Sequence, residues 1–206
     1  MQHHITMTKD NFEAVNTKIL ETNLDGEAVL EVHKTEKLMV FDENTYAKLK
    51  HFSFKNGTIE VSVRSRLLPD APDFARGFIG IAFRISEDNE QFESFYVRPT
   101  NGNHEDSIRA SRASQYFAYP NYKFDYFREQ GIADYEAPAA ISLDEWIAIR
   151  AEILDERAVF YINGQETLGV NDLKLGEEAV GSIGLFVDIG TQGFFKDLKV
   201  TVYDEY

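Results

Sequence analysis

The chain has 206 residues and carries 21 Lys+Arg against 35 Asp+Glu, a formal charge of −14, so its field repels phosphate backbones and anionic lipid surfaces. Neither nucleic acid nor a membrane is expected as a partner, and with no cysteine there is no disulfide or thiolate chemistry. Hydrophobic residues make up 43% and aromatics 13%, enough for a packed core.

The opening MQHHITMTKDNFEAV has neither the basic region nor the apolar run of a signal peptide, and no stretch approaches the roughly 18 apolar residues of a membrane span. A cytoplasmic location is expected for the chain as it stands, and a secreted one if a leader has been removed. Within that opening, DNFEAV (10–15) suits a short helical turn. EAVLEVHK around Val29 and AKLKHF around Leu49 are weak strand candidates.

The clearest strand is GTIEVSVRSRL, in which Ile59, Val61 and Val63 alternate with polar residues at the period of two of a two-faced sheet. Similar runs follow at FIGIAFRI (78–85) and FESFYVRP (92–99), then more weakly at QYFAYP around Phe117. After ADYEAPAAISLDEW (133–146), which suits a short turn, come EWIAIRAEIL (145–154), RAVFYING (157–164), GSIGLFVD (181–188) and FFKDLKVTVY (194–203). Asn56-Gly57, Asn101-Gly102, Asn163-Gly164, Pro69-Asp70 and Pro72-Asp73 punctuate these runs as turns. Strands without crossover helices must be mainly antiparallel, and a two-sheet sandwich is expected ahead of a barrel. No linker or repeat divides the chain, so residues 1–206 are expected to form one domain.

In the C-terminal half, LDEW (143–146), IAIRAEI, a hairpin ending in YING, GSIGLF and FFKDLKV follow in an order that resembles the concanavalin A-like lectin/glucanase superfamily, most closely its laminin-G-type and 3-keto-disaccharide hydrolase-type domains. FIGIAFR fits the same pattern, and the resemblance runs over 52–202. It implies an all-β, antiparallel two-sheet jelly roll with a concave face on which sugars lie. The E-x-D-x-x-E strand signature of the superfamily's glucanases is absent. The resemblance further implies a possible structural calcium ion, for which the outward-facing Asp197 could give one oxygen of the six to eight required; no other cofactor is called for.

A sugar site needs aromatic rings beside planar polar donors. Because Phe95 and Val97 read as core, Tyr96 and Arg98 are expected to face outward; by the same alternation Arg84 joins Gly80 and Ala82 on an outer face with room for a ligand. The long excursion YVRPTNGNHEDSIRASRASQY adds Arg109, Arg112, Gln115 and Tyr116, which completes a proposed saccharide contact set of Arg84, Tyr96, Arg98, Arg109, Arg112, Gln115 and Tyr116. The bland alternative pairs these arginines with Glu93, Glu105 and Asp106 on a solvated surface. If the protein is instead an enzyme acting on a glycoside, by resemblance a 3-keto-glycoside, Glu93, His104 or Asp106 would move the proton. The aromatic segment YPNYKFDYFREQGIADYEA (119–137) reads as a cover on the sheet, as part of a stacking wall, or as a protein interface.

Overall fold

The computed structural model describes residues 1–35 and 39–203. Among these, fifteen strands follow in chain order: β1 Gln2–His4, β2 Phe12–Val15, β3 Thr17–Leu24, β4 Glu27–Lys34, β5 Tyr46–Leu49, β6 Gly57–Leu67, β7 Ile79–Ile85, β8 Phe92–Val97, β9 Ser114–Tyr119, β10 Glu136–Ala137, β11 Ile147–Leu154, β12 Arg157–Ile162, β13 Gln165–Val170, β14 Ser182–Val187 and β15 Thr191–Val202. Two short helices, α1 Ser107–Ala110 and α2 Phe124–Glu129, interrupt them. The strands form one sheet in the order β13-β12-β11-β6-β15-β4-β3, with β1 beside β15, and a second in the order β10-β9-β8-β7-β14-β5-β2. Every pairing is antiparallel, and each sheet joins strands distant in sequence, so the fold is an antiparallel jelly-roll sandwich.

Period-two patterning explains the inner layer. Ile59, Val61 and Val63 of β6, with Ile147, Ile149, Ala151 and Ile153 of β11, meet Ile79, Ile81 and Phe83 of β7 and Phe95 and Val97 of β8 across the sandwich. Phe95 stacks on Phe160 of β12 at 4.3 Å with an interplanar angle of 3°. The β12–β13 hairpin turns at Asn163 and Gly164, whose φ values of 51° and 78° are those of a tight turn with both central residues left-handed. Asn101-Gly102 makes no such turn: Asn101 ends a 3-10 turn and Gly102 is right-handed helical. Of the segment 10–15, expected as a short helical turn, the start lies in a 3-10 turn over Lys9–Asn11 and the rest is strand over Phe12–Val15, pairing with β5, while 133–146 supplies the short strand β10.

Arg84 overturns one expectation of alternation. Between β7 and β14 the register shifts at Ser182/Gly184, and Arg84 itself has φ 51°, so a bulge reverses its side chain. Rather than lying with Gly80 and Ala82, it enters the sandwich fully buried. Nη1 donates to Glu93 Oε2 at 3.3 Å, and Nε, Nη1 and Nη2 donate to the carbonyls of Lys55, Gly176 and Asp155. The Tyr116 hydroxyl donates to Glu93 Oε1 at 2.6 Å. Burial raises the Glu93 carboxyl above its usual value, against the opposing pull of Tyr116 and Arg84. Arg84, Glu93 and Tyr116 therefore form an internal staple that ties three loops to the second sheet. None of the three reaches solvent, so they drop out of the expected saccharide and proton-transfer sets.

Removing one member of a buried pair leaves the other uncompensated. Arg84→Met is expected to cost about 3–5 kcal/mol in urea unfolding. Glu93→Gln keeps an acceptor for Tyr116 but leaves the buried Arg84 cation without its counter-ion, and it is expected to cost about 3–5 kcal/mol as well. A loss below about 1 kcal/mol in either variant would contradict the staple.

Candidate functional site: an arginine pocket on the covered sheet

The face of the second sheet turned away from the first is also apolar. Tyr46, Ala82, Phe92, Tyr96, Phe117 and Phe186 share it as a separate buried cluster with Phe78, against which Phe41 and Tyr119 pack. There is no open space beside Gly80 and Ala82: a Cβ on Gly80 would run into the Phe95 carbonyl oxygen and fall 2.5 Å from Tyr96 Cα of β8, and Ala82 is buried in the aromatic cluster. Tyr96 and Gln115 do lie on this outer face, as alternation requires, but both are buried and are not surface contacts.

Two segments close over the cluster. Phe41 meets Phe74, Phe78 and Phe124 edge-on, with ring centroids 5.4 to 5.6 Å apart. The aromatic segment after Pro120 folds as a cover: α2 sets Phe124 against Phe41, and Phe127 is buried 4.3 Å from Tyr135. The excursion after Arg98 is also built in. Asp106 Oδ1 accepts from the amides of Ile108 and Arg109 and so caps α1, while Asn101 is buried and donates to the Arg112 carbonyl.

Between these covers lies an open pocket of about 450 Å³, lined by Phe41, Phe74, Phe78 and Phe124 and by Arg76, Arg98, Arg109, Arg112 and Arg128. Five of the chain's ten arginines thus converge in a protein of charge −14. Arg98 lies beneath the others; it donates to the Tyr96 hydroxyl at 2.8 Å and to Gln115 Oε1 at 3.3 Å. Glu136 is shared by three of them, at 3.3 Å from Arg98, 3.5 Å from Arg112 and 2.6 Å from Arg128. The Arg98 and Arg128 guanidiniums both approach the Phe124 ring, 5.6 and 4.8 Å from its centroid.

The Arg109 and Arg76 guanidiniums make no ion pair among the described residues, although the Asp106 carboxylate at the rim, which the Arg109 amide lowers first, is near enough to the Arg109 charge to be lowered by it too. Arg109 bonds to Asn101 Oδ1, Thr100 Oγ1 and His104 Nε2. Arg76 donates Nη1 to the carbonyls of Asp73 and Ala75. Burial first, then the nearby cations Arg109 and Arg98, lower the Arg76 guanidinium from its usual value. Arg128 Nε is buried without a hydrogen-bond partner.

Of the expected contact set, the structure brings Arg98, Arg109 and Arg112 together. Phe124 and Arg128 come from the aromatic segment read as a cover or stacking wall, whereas Arg76, Phe41, Phe74 and Phe78 were missed; the available signal was an arginine beside an aromatic, as in FAR (74–76). Of the proton-transfer candidates, His104 contacts Arg109 at the pocket's edge and Asp106 lines the rim, its carboxyl lowered by the Arg109 amide first. Asp197 is exposed on a bulge of β15 on the other sheet, between Lys196 and Lys199, which pair with Glu27 and Glu60. No group of three or more His, Cys, Asp or Glu side chains that could hold a metal is gathered among the described residues.

Asp42, in the loop beside Phe41, carried no sequence signal. It is fully buried; Oδ2 accepts from the Phe124 amide at 2.9 Å and Oδ1 has no hydrogen-bond partner. Burial, then the Asp188 carboxylate, raises its carboxyl from 3.8 to about 7, against the pull of the Phe124 amide, Arg98 and Tyr96. The raised value means that the folded chain keeps this proton over a range where the unfolded chain has lost it. Asp42's contribution is therefore full at about pH 4 and is lost as pH rises to about 7. Asp42→Asn is expected to gain on the parent by about 1–4 kcal/mol in urea unfolding between pH 4.5 and 8. A difference that stays constant across that range would contradict the assignment.

No protein-family model matches the sequence, and no curated protein matches it. Solved structures do match in fold. The carbohydrate-binding module CBM66 from Bacillus subtilis is 15% identical, with 93% of this chain and 96% of that chain covered and a TM-score of 0.64. A structure described as a native glycosidic hydrolase is 13% identical over 97% and 95%, with a TM-score of 0.54. A Bacillus subtilis protein of unknown function with a galectin-like fold is 12% identical over 97% and 97%, with a TM-score of 0.52. At such identities the likeness is one of architecture alone, an antiparallel two-sheet jelly roll of galectin-like form.

Proposed function

We propose that the protein binds a saccharide, and that it does so in the arginine and phenylalanine pocket. The observation that carries this reading is the composition of the pocket: planar donors that serve paired oxygens stand beside flat apolar rings that suit sugar C–H faces. Its volume of about 450 Å³ falls in the range of small-molecule sites, roughly 300–1,000 Å³. The similarity in fold to a carbohydrate-binding module supports the same reading. Phe74, 44% exposed, is the ring most open to a ligand, and Ile108 stands exposed beside it.

Hydrolysis is the second reading, favoured by Asp42, whose carboxyl near neutral value lies under the pocket, and by the fold likeness to a glycosidic hydrolase. Against it, Asp42 is sealed beneath the cover, and the carboxylate that lines the pocket, Asp106, is engaged at the rim by the amides of Ile108 and Arg109.

A glycan array followed by calorimetry on the best binder tests the proposal. Phe74→Ala is expected to weaken binding about tenfold, roughly 1.4 kcal/mol, while the variant melts like the parent. Unchanged affinity would remove the pocket from the reading. Incubation of the same saccharide with the protein is expected to release no reducing ends; release that Asp42→Asn abolishes would replace binding by hydrolysis.

A further inference from the structure

A neutral sugar does not account for the charge gathered in this pocket. Five guanidiniums face one lining carboxylate, Asp106 at the rim, with Glu136 behind them already shared three ways. Asp42, the other acid near Arg98, is held largely protonated up to about neutral pH. Arg76 and Arg109, from the loop before β7 and from α1, make no ion pair among the described residues, although Asp+Glu outnumber Lys+Arg in the chain by 35 to 21. Like charges brought together by folding raise its free energy unless an anion joins them, and a half-desolvated site makes the repulsion larger than at an open surface. The loops around the pocket carry Asp42, Asp73, Glu105 and Asp106, yet of these only Asp106 lines it, beside Phe41, Phe74 and Ile108.

Resting on the saccharide reading, we infer that the ligand is an acidic saccharide whose oxyanion group lies between Arg76 and Arg109 while its ring lies against Phe74. Arg76 and Arg109 are the residues that select charge. Guanidinium forks suit a carboxylate and a sulfate ester alike, and the shared chemistry is a planar or trigonal oxyanion on a sugar ring. Arg98 and Arg112, tied to Glu136 and to backbone, hold the floor and the cover in place.

The probes are matched sets of oligosaccharides: hexuronate oligomers, the same oligomers with their carboxyl groups reduced to alcohols, and sulfated forms of the reduced oligomers. Binding to the full chain is measured by calorimetry in 50 mM and 500 mM NaCl. The expected result is binding of a uronate or sulfated member at least about tenfold tighter than its neutral counterpart, with a marked loss in high salt. The uronate and sulfate arms show which oxyanion is taken. Arg76→Gln and Arg109→Gln, checked by thermal melting, are each expected to bring acidic and neutral members toward equal affinity, and Arg109→Lys to restore part of the preference. Neutral members binding as well as acidic ones would overturn this inference and leave the saccharide reading standing. Failure of every saccharide to bind would overturn both.

Discussion

The constraint on which the structure turns is that one sheet is apolar on both faces. The inner face packs in the ordinary way against its partner sheet, but Tyr46, Phe92, Tyr96, Phe117 and Phe186 on the outer face would be left in water. Burial of such side chains contributes about 1.5–3 kcal/mol each, so the chain gains by covering them, and the segments around Phe41 and Phe124 do so. Asp42 fixes that cover to α2 through the Phe124 amide, at the cost of burying a carboxyl beside Asp188.

The pocket is what the cover leaves open. Where the aromatic layer ends at Phe78 and Tyr96, the strands give way to the excursions before β7 and after β8, and these bring arginines to the gap. Arg98 bridges the two regimes: its Tyr96 bond belongs to the aromatic layer, and its Glu136 contact belongs to the cationic rim. The electron-rich Phe124 face attracts both Arg98 and Arg128, and Glu136 pairs with both, which offsets part of the repulsion between them. The same features that close the sheet therefore also gather the charge.

The two buried acids with raised values have separate physical roles. Glu93 is held by the Arg84 guanidinium and the Tyr116 hydroxyl inside the sandwich, where it joins loops from three parts of the chain. Asp42 is raised by burial first and then by the Asp188 carboxylate, against the pull of the Phe124 amide, Arg98 and Tyr96, so it keeps its proton to about neutral pH. An ion pair makes the first a structural staple; burial beside another carboxylate makes the second sensitive to pH near neutrality.

The sequence by itself determined the strands whose period of two is unbroken: β6, β11 and β12 lie where GTIEVSVRSRL, IAIRAEIL and RAVFYI read, because a strand's two faces are written in its own residues. It also marked Arg98, Arg109 and Arg112 as a concentration out of keeping with an acidic chain. Short edge strands such as β2 and β10 were not legible, since a few residues carry no period. Only the tertiary structure decided which way Arg84 points, because a bulge set by pairing with β14 reverses it. Only it decided that Tyr96 and Gln115 are covered, because residues 41 and 124 arrive there from distant parts of the chain. Arg76 and Arg128 reach the pocket for the same reason: five arginines from separate loops and helices meet through long-range closure, which no local pattern records.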